Sequence, residues 1–269
     1  MSGSGRSAPR SSGVTEMVAV SSIHETLAAG PIPRFEIPGW RERFGVVAGI
    51  TGRGPASAEF DLGLWTSSPV GEVMERWRRF RAAEPGFPAT VLGNQVHGVT
   101  VVRTDAGQGW TQLDGVDGHV TSARGVFLTV TVADCIPVYL VERQGRGIAL
   151  LHAGWRGTAG GILERGIRSL CEVTGSRASE IVMHCGVGIC GDCYEVGREV
   201  VEGCGLLAAG EGPWQVDLRA VLAEQADRFG VREISTSARC TRCQHGLFFS
   251  HRASGGADGR QVAFLGMSV

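Results

Sequence analysis

Residues 125–153 read GVFLTVTVADCIPVYLVERQGRGIALLHA, and how this stretch folds decides the architecture. GVFLTVTVADC, IPVYLVE and GIALLHA are apolar on both parities, where a half-exposed strand would alternate apolar with polar. Strands of that kind lie in a sheet covered on both faces. The polar RQGR between the last two predicts a hairpin turn.

Outward from this block, further strands are expected at 45–51 (GVVAGIT), 99–103 (VTVVR), 180–187 (EIVMHCGV), 231–236 (VREIST) and 261–269 (QVAFLGMSV). Between them the apolar residues fall at helical spacing. Val70, Val73, Met74, Trp77 and Phe80 share a face over 70–83, and Leu163, Ile167, Leu170 and Cys171 do so over 160–174. Over 217–229, Leu218, Val221, Leu222, Gln225, Ala226 and Phe229 point inward, with Asp217 as N-cap and Gly230 at the C′ position. Helices mixed with hairpin-linked strands predict layered α+β architecture rather than a regular βαβ repeat. The P-loop glycine pattern, which needs a lysine, is absent.

The chain has 269 residues, 43% of them apolar, enough for a substantial core. Residues 1–34, rich in Ser, Gly, Ala and Pro, read as a disordered tail. Residues 35–269 show no repeat or linker and read as one domain. A formal net charge of −1 gives no basic surface for nucleic acid. All 26 basic residues are arginine. Schiff-base and Walker-lysine chemistry are thereby excluded, and arginine is left as the permanent cation for phosphate. Neither a signal-peptide apolar region nor a run of about 18 apolar residues is found, so a cytoplasmic protein with no membrane contact is expected. In that compartment the eight cysteines are thiols or metal ligands.

His97 in GNQVHG, Cys135 in VADCIP and His152 in LLHAGWRG each stand where a strand runs out. Two imidazoles and a thiolate suit Zn²⁺ or copper, and three protein ligands leave a fourth position open. The same placement also serves a metal-free reading, with Cys135 as nucleophile and His97 or His152 as base. The residues leave both open. Cys190-x-x-Cys193 and Cys240-x-x-Cys243 form a second candidate set, for a structural metal, which His184 and Cys185 could join. Cys171 and Cys204 read as buried thiols.

QVHG (95–98), ADCIP (133–137), HAGWRG (152–157), CYEVG (193–197), VDL (216–218), CT (240–241), FFSHR (248–252) and GRQ (259–261) follow one another in the chain. In this order they resemble the laccase-domain family, whose members are also called multicopper polyphenol oxidase-like proteins, purine nucleoside phosphorylases and peptidoglycan editing factors. The resemblance spans about residues 44 to 269 and departs from the family at the two CxxC pairs. It implies a single-domain α/β sandwich with mixed sheets, similar to the cytotoxic necrotising factor catalytic domain. It also implies one metal on His97, Cys135 and His152, here expected to be zinc.

The implied activities are phosphorolysis of adenosine, inosine and methylthioadenosine, and hydrolytic deamination of adenosine; a monomer acting on a small nucleoside and phosphate is expected. For the deamination, Asp134 is the nearest candidate proton shuttle, although a regular strand would point it away from Cys135. Arg156, flanked by glycines, is the first candidate for phosphate and Arg53 in ITGRG the second. Gln95, two residues before His97, is expected to bind the base or orient the ligand. The alternatives are a copper-dependent polyphenol oxidase and a hydrolase editing a peptidoglycan precursor. Seven histidines without an HxH pair leave little from which to build a trinuclear copper cluster.

Overall fold

The structure is a computed structural model and describes residues 18–269. In chain order its strands are β1 (Val20–Ile23), β2 (Thr26–Leu27), β3 (Arg34–Glu36), β4 (Val46–Thr51), β5 (Ala89–Asn94), β6 (Val101–Arg103), β7 (Gly109–Asp114) and β8 (Gly118–Thr121). They continue with β9 (Val126–Val132), β10 (Ile136–Glu142), β11 (Ile148–Ala153), β12 (Ile181–Cys185), β13 (Glu195–Val196), β14 (Trp214–Gln215), β15 (Glu233–Ser237) and β16 (Gln261–Met267). The helices are α1 (Trp40–Phe44), α2 (Val70–Ala82), α3 (Trp155–Ala159), α4 (Ile162–Thr174), α5 (Arg198–Gly203), α6 (Leu218–Arg228) and α7 (His251–Ser254).

Two mixed seven-stranded sheets form, ordered β1-β15-β12-β10-β11-β8-β6 and β2-β3-β4-β16-β9-β5-β7. They pack face to face. Val130, Leu128 and Leu265 of one sheet share a core with Tyr139, Val141 and Leu150 of the other. The outer face of the first sheet, with Val138, Leu140 and Leu151, is covered by Leu163, Ile167 and Leu170 of α4 and by Val221 and Leu222 of α6. The outer face of the second, with Phe127 and Phe264, is covered by Val73, Trp77 and Phe80 of α2. These four layers explain the double parity of the central strands. Along β10, Val138 and Leu140 face the helices while Tyr139 and Val141 face the other sheet.

The hairpin predicted at RQGR is present, with β10 and β11 antiparallel and Pro137 opposite His152. The 125–142 run is broken differently from a simple meander. β9 belongs to one sheet and β10 to the other, so residues 133–135 form the corner at which the chain changes sheets. Asp134 takes a left-handed φ of 87° there. The helices at 70–83, 160–174 and 217–229 are found with small shifts of boundary. Asp217 caps α6 by accepting from the Arg219 N–H. Phe229, expected inward, is 39% exposed because the helix stops at Arg228.

The N-terminal expectation is corrected for residues 18–34. β1 pairs in parallel with β15, and β2 pairs with β3. Beyond β1, the buried Glu25 carboxylate bonds His184 at 3.0 Å and accepts from the Ser237 hydroxyl at 2.8 Å. Ladder bonds to β15 and a buried carboxylate partner hold a segment whose composition resembles a tail. The remainder of that expectation, residues 1–17, lies outside the described residues. Among the described residues no helix is long and apolar enough to cross a membrane.

Candidate active site and metal centre

His97, Cys135 and His152 are brought together from three separate places in the fold. β5 ends at Asn94, and His97 sits three residues on with a left-handed φ of 60°, a conformation that non-glycine residues seldom adopt. The buried Asp117 carboxylate holds it so. Oδ1 accepts from the His97 N–H at 3.0 Å, and Oδ2 from the N–H groups of Gly98 at 2.8 Å and Val96 at 3.3 Å. Cys135 is placed by the corner between sheets. His152, near the end of β11, has its Nδ1 2.9 Å from Asp117 Oδ1. That bond assigns the Nδ1 proton toward the carboxylate and leaves Nε2 as the donor atom.

The three ligand atoms lie within 4.8 Å of one another, and Cys135 Sγ is 3.8 Å from His97 Nε2. Gly154 makes room for them. A Cβ there would stand 2.9 Å from His97 Cδ2 and 3.1 Å from Cys135 Sγ. Burial pushes the Cys135 thiol up, but His152 and His97 outweigh that and bring it down to about 6. Burial lowers His152, yet Cys135 and Asp117 raise it to about 9. Burial also raises Asp117, and the His152 bond with the Gly98 and Val96 N–H groups brings it below its ordinary 3.8. His119, two residues from Asp117 and fully enclosed, is lowered by burial to about 4 and is therefore neutral at pH 7. A His₂Cys donor set this compact, with a carboxylate behind one imidazole, could hold one metal ion, with zinc and copper both suited to its donors.

The set opens into a cavity of about 420 Å³, within the range of small-molecule sites. Arg156 lines it at the start of α3, its guanidinium 4.4 Å over the Trp155 ring. Arg252 and Arg260 line it too, and among the described residues none of the three guanidiniums pairs with a carboxylate. Trp65 and Tyr194 add aromatic surface.

The other candidates lie as follows. Asp134 is on the wall, and its oxygens accept from the Thr241 hydroxyl at 2.5 Å and the Arg252 N–H at 2.7 Å. Gln95 lines the cavity just beyond the end of β5. Its amide clasps Thr131, donating to the carbonyl at 2.8 Å and accepting from the N–H at 2.7 Å. Arg53 is not among the lining residues. It is bound by Glu59 and by Asp258 and lies over the Phe249 ring, so its charge is already compensated.

The four sulfurs of Cys190, Cys193, Cys240 and Cys243 also lie within 4.8 Å of one another. His184 and Cys185 do not join them, since His184 bonds Ser235 and Glu25 and Cys185 is packed in the core.

Reading along the chain missed Asp117, because its partners stand 19 to 35 residues away and no local pattern marks it. Arg252 and Arg260 fall inside the FFSHR and GRQ matches, where a signal existed without a role.

A family model described as multi-copper polyphenol oxidoreductase laccase matches residues 45–268. The chain is 35% identical over 249 residues to Purine nucleoside phosphorylase YlmD of Geobacillus stearothermophilus, covering 82% of this chain and 90% of that protein. It is 38% identical over 160 residues to Adenosine deaminase RL5 of an unknown prokaryotic organism, covering 55% of this chain and 61% of that one. The crystal structure of Bacillus licheniformis hypothetical protein YfiH matches with a TM-score of 0.82 at 25% identity, covering 90% of this chain and 99% of that chain.

Proposed function

The chain belongs to the multi-copper polyphenol oxidoreductase laccase family, and from its site and from the relatives named for nucleoside chemistry we propose that it is a purine nucleoside enzyme. In this reading it carries one zinc ion on His97, Cys135 and His152, phosphorolyses adenosine, inosine or methylthioadenosine, and deaminates adenosine. The observation that carries the reading is one cavity holding both the His₂Cys set and three guanidiniums that, among the described residues, have no carboxylate partner. Relatives named for phosphorolysis and for adenosine deamination support it.

Bound zinc would supply Lewis acidity at its open position. The chain's own residues account for the rest. In phosphorolysis a phosphate oxygen attacks C1′, the C1′–N9 bond breaks, and its electron pair leaves with the purine, which takes up the proton that the attacking phosphate gives up. Arg156, Arg252 and Arg260 offset the charge of the phosphate and hold it in place. Trp65 and Tyr194 offer ring faces to the base. Among the described residues Asp134 is the one carboxylate on the wall, and in deamination it is assigned the proton that passes from the attacking water to the departing amino group. To carry it, Asp134 gives up its bond to Thr241 or to the Arg252 N–H.

The test supplies zinc-loaded protein with adenosine or inosine, with and without phosphate, and separates the products. Free base and ribose 1-phosphate are expected only with phosphate, and inosine from adenosine without it. Absence of all three would overturn the reading. The same donor set accepts copper, and oxygen uptake with a phenol that tracks copper content would replace the nucleoside reading by the oxidase. Cleavage of a UDP-muramoyl peptide in place of nucleosides would move the substrate to the cell wall.

A further inference from the structure

We propose that Cys190, Cys193, Cys240 and Cys243 bind one structural zinc ion that fastens the 189–197 loop to the 240–252 segment and so fixes one wall of the cavity. The proposal does not rest on the nucleoside reading.

Four thiolates about 2.3 Å from a tetrahedral zinc have sulfurs about 3.8 Å apart along each edge. Here all four sulfurs fall within 4.8 Å of one another, with Cys193 and Cys243 at 3.4 Å. Each CxxC pair is wound into a tight turn. The Cys193 N–H donates to the Cys190 carbonyl at 3.1 Å, and the Gln244 N–H to the Cys240 carbonyl at 2.9 Å. The turns are set side by side by a bridge between Gly188 and Cys240, in which the Thr241 N–H donates to the Gly188 carbonyl at 3.0 Å.

Two backbone N–H groups, from Cys190 at 3.3 Å and Cys243 at 3.5 Å, point at the Cys240 sulfur. Such donors stabilise a metal-bound thiolate and hold it in place. Four thiolates around Zn²⁺ leave a net charge of −2, beside which stands Arg242, whose guanidinium reaches the Cys193 carbonyl at 3.4 Å. An all-sulfur tetrahedral set selects zinc or iron among the common metals, and zinc requires no redox partner.

The two turns carry groups that the cavity uses. Tyr194 follows Cys193 directly, and Thr241 follows Cys240 and donates to Asp134. Arg252 bridges the same two segments through the Glu195 carbonyl at 2.8 Å. With the ion in place these contacts no longer depend on packing and hydrogen bonds alone.

The experiment measures metal content and zinc-edge X-ray absorption on the full chain. Two zinc ions are expected in the wild-type protein and one in Cys135→Ala, the remaining ion surrounded by four sulfurs at about 2.3 Å with no nitrogen or oxygen. Cys193→Ser/Cys243→Ser is expected to lose one zinc and to melt about 10 °C lower or more. Should that double variant fail to fold, the absorption spectrum of Cys135→Ala decides alone. Cys135→Ala without metal, disulfides among the four cysteines under reducing purification, or iron in place of zinc would each overturn the proposal.

Discussion

Asp117 does not line the cavity, yet it positions two of the three candidate ligands. Its carboxylate sets the His152 ring and stabilises the left-handed turn that presents His97. Asp117→Asn keeps the shape but replaces an acceptor oxygen by a donor amide, so one N–H partner or the imidazole loses its acceptor. Metal affinity is expected to fall about 10- to 100-fold, measured by chelator competition, with little loss of secondary structure. Gly154→Ala probes the same cluster sterically. Its new methyl would meet His97 Cδ2 and Cys135 Sγ at 2.9 and 3.1 Å, so metal content and turnover are expected to drop together while the fold persists. Full metal occupancy in that variant would show that the ligands can move aside. The three candidate ligands were legible as residues because each stands where an expected strand runs out. Asp117 was not, since hydrogen bonding to a distant loop leaves no trace in local spacing.

At the scale of the element, the legible strands were those with two buried faces. β1, read as tail, has the sequence VSSI and is largely exposed, so periodicity gave it no support. It is secured by pairing with β15 and by the turn after it. Arg239 donates to the Glu25 carbonyl at 2.9 and 3.0 Å, and the Glu25 carboxylate meets His184 and Ser237. Burial raises the Glu25 carboxyl, but the bonds from His184 and Ser237 outweigh it and bring it below its ordinary 4.5. The unfolded chain therefore takes up this proton first as pH falls, and stability rises with pH across the window. Glu25's contribution is complete above 4.5 and is lost as pH drops through the lower folded value. Glu25→Gln is expected to cost about 1–3 kcal/mol at pH 7. Its denaturation midpoint should also vary less than that of the wild-type protein as the pH falls below 4.5. Parallel pH profiles for the two proteins would exclude this role.

For the whole molecule, the face-to-face contact of the sheets supports both the core and the site, because the corner at 133–135 that crosses between sheets also carries Asp134 and Cys135. Leu150 is fully buried at this contact. Leu150→Ala is expected to cost about 2–5 kcal/mol, read as a lower urea midpoint with an unchanged slope.

By itself the sequence determined the layered α+β class, most of the central strands and the three main helices, and it singled out His97, Cys135 and His152 as candidates. All of these rest on periodicity, capping or side-chain chemistry, which act over a few residues. Only the tertiary structure decided that β9 and β10 part into different sheets, that Arg53 is spent on Glu59 and Asp258 while Arg252 and Arg260 reach the cavity, and that four cysteines about 50 positions apart in pairs converge. Those outcomes depend on which distant segments pack together, and that is set by burial of surface across the whole chain rather than by any local pattern.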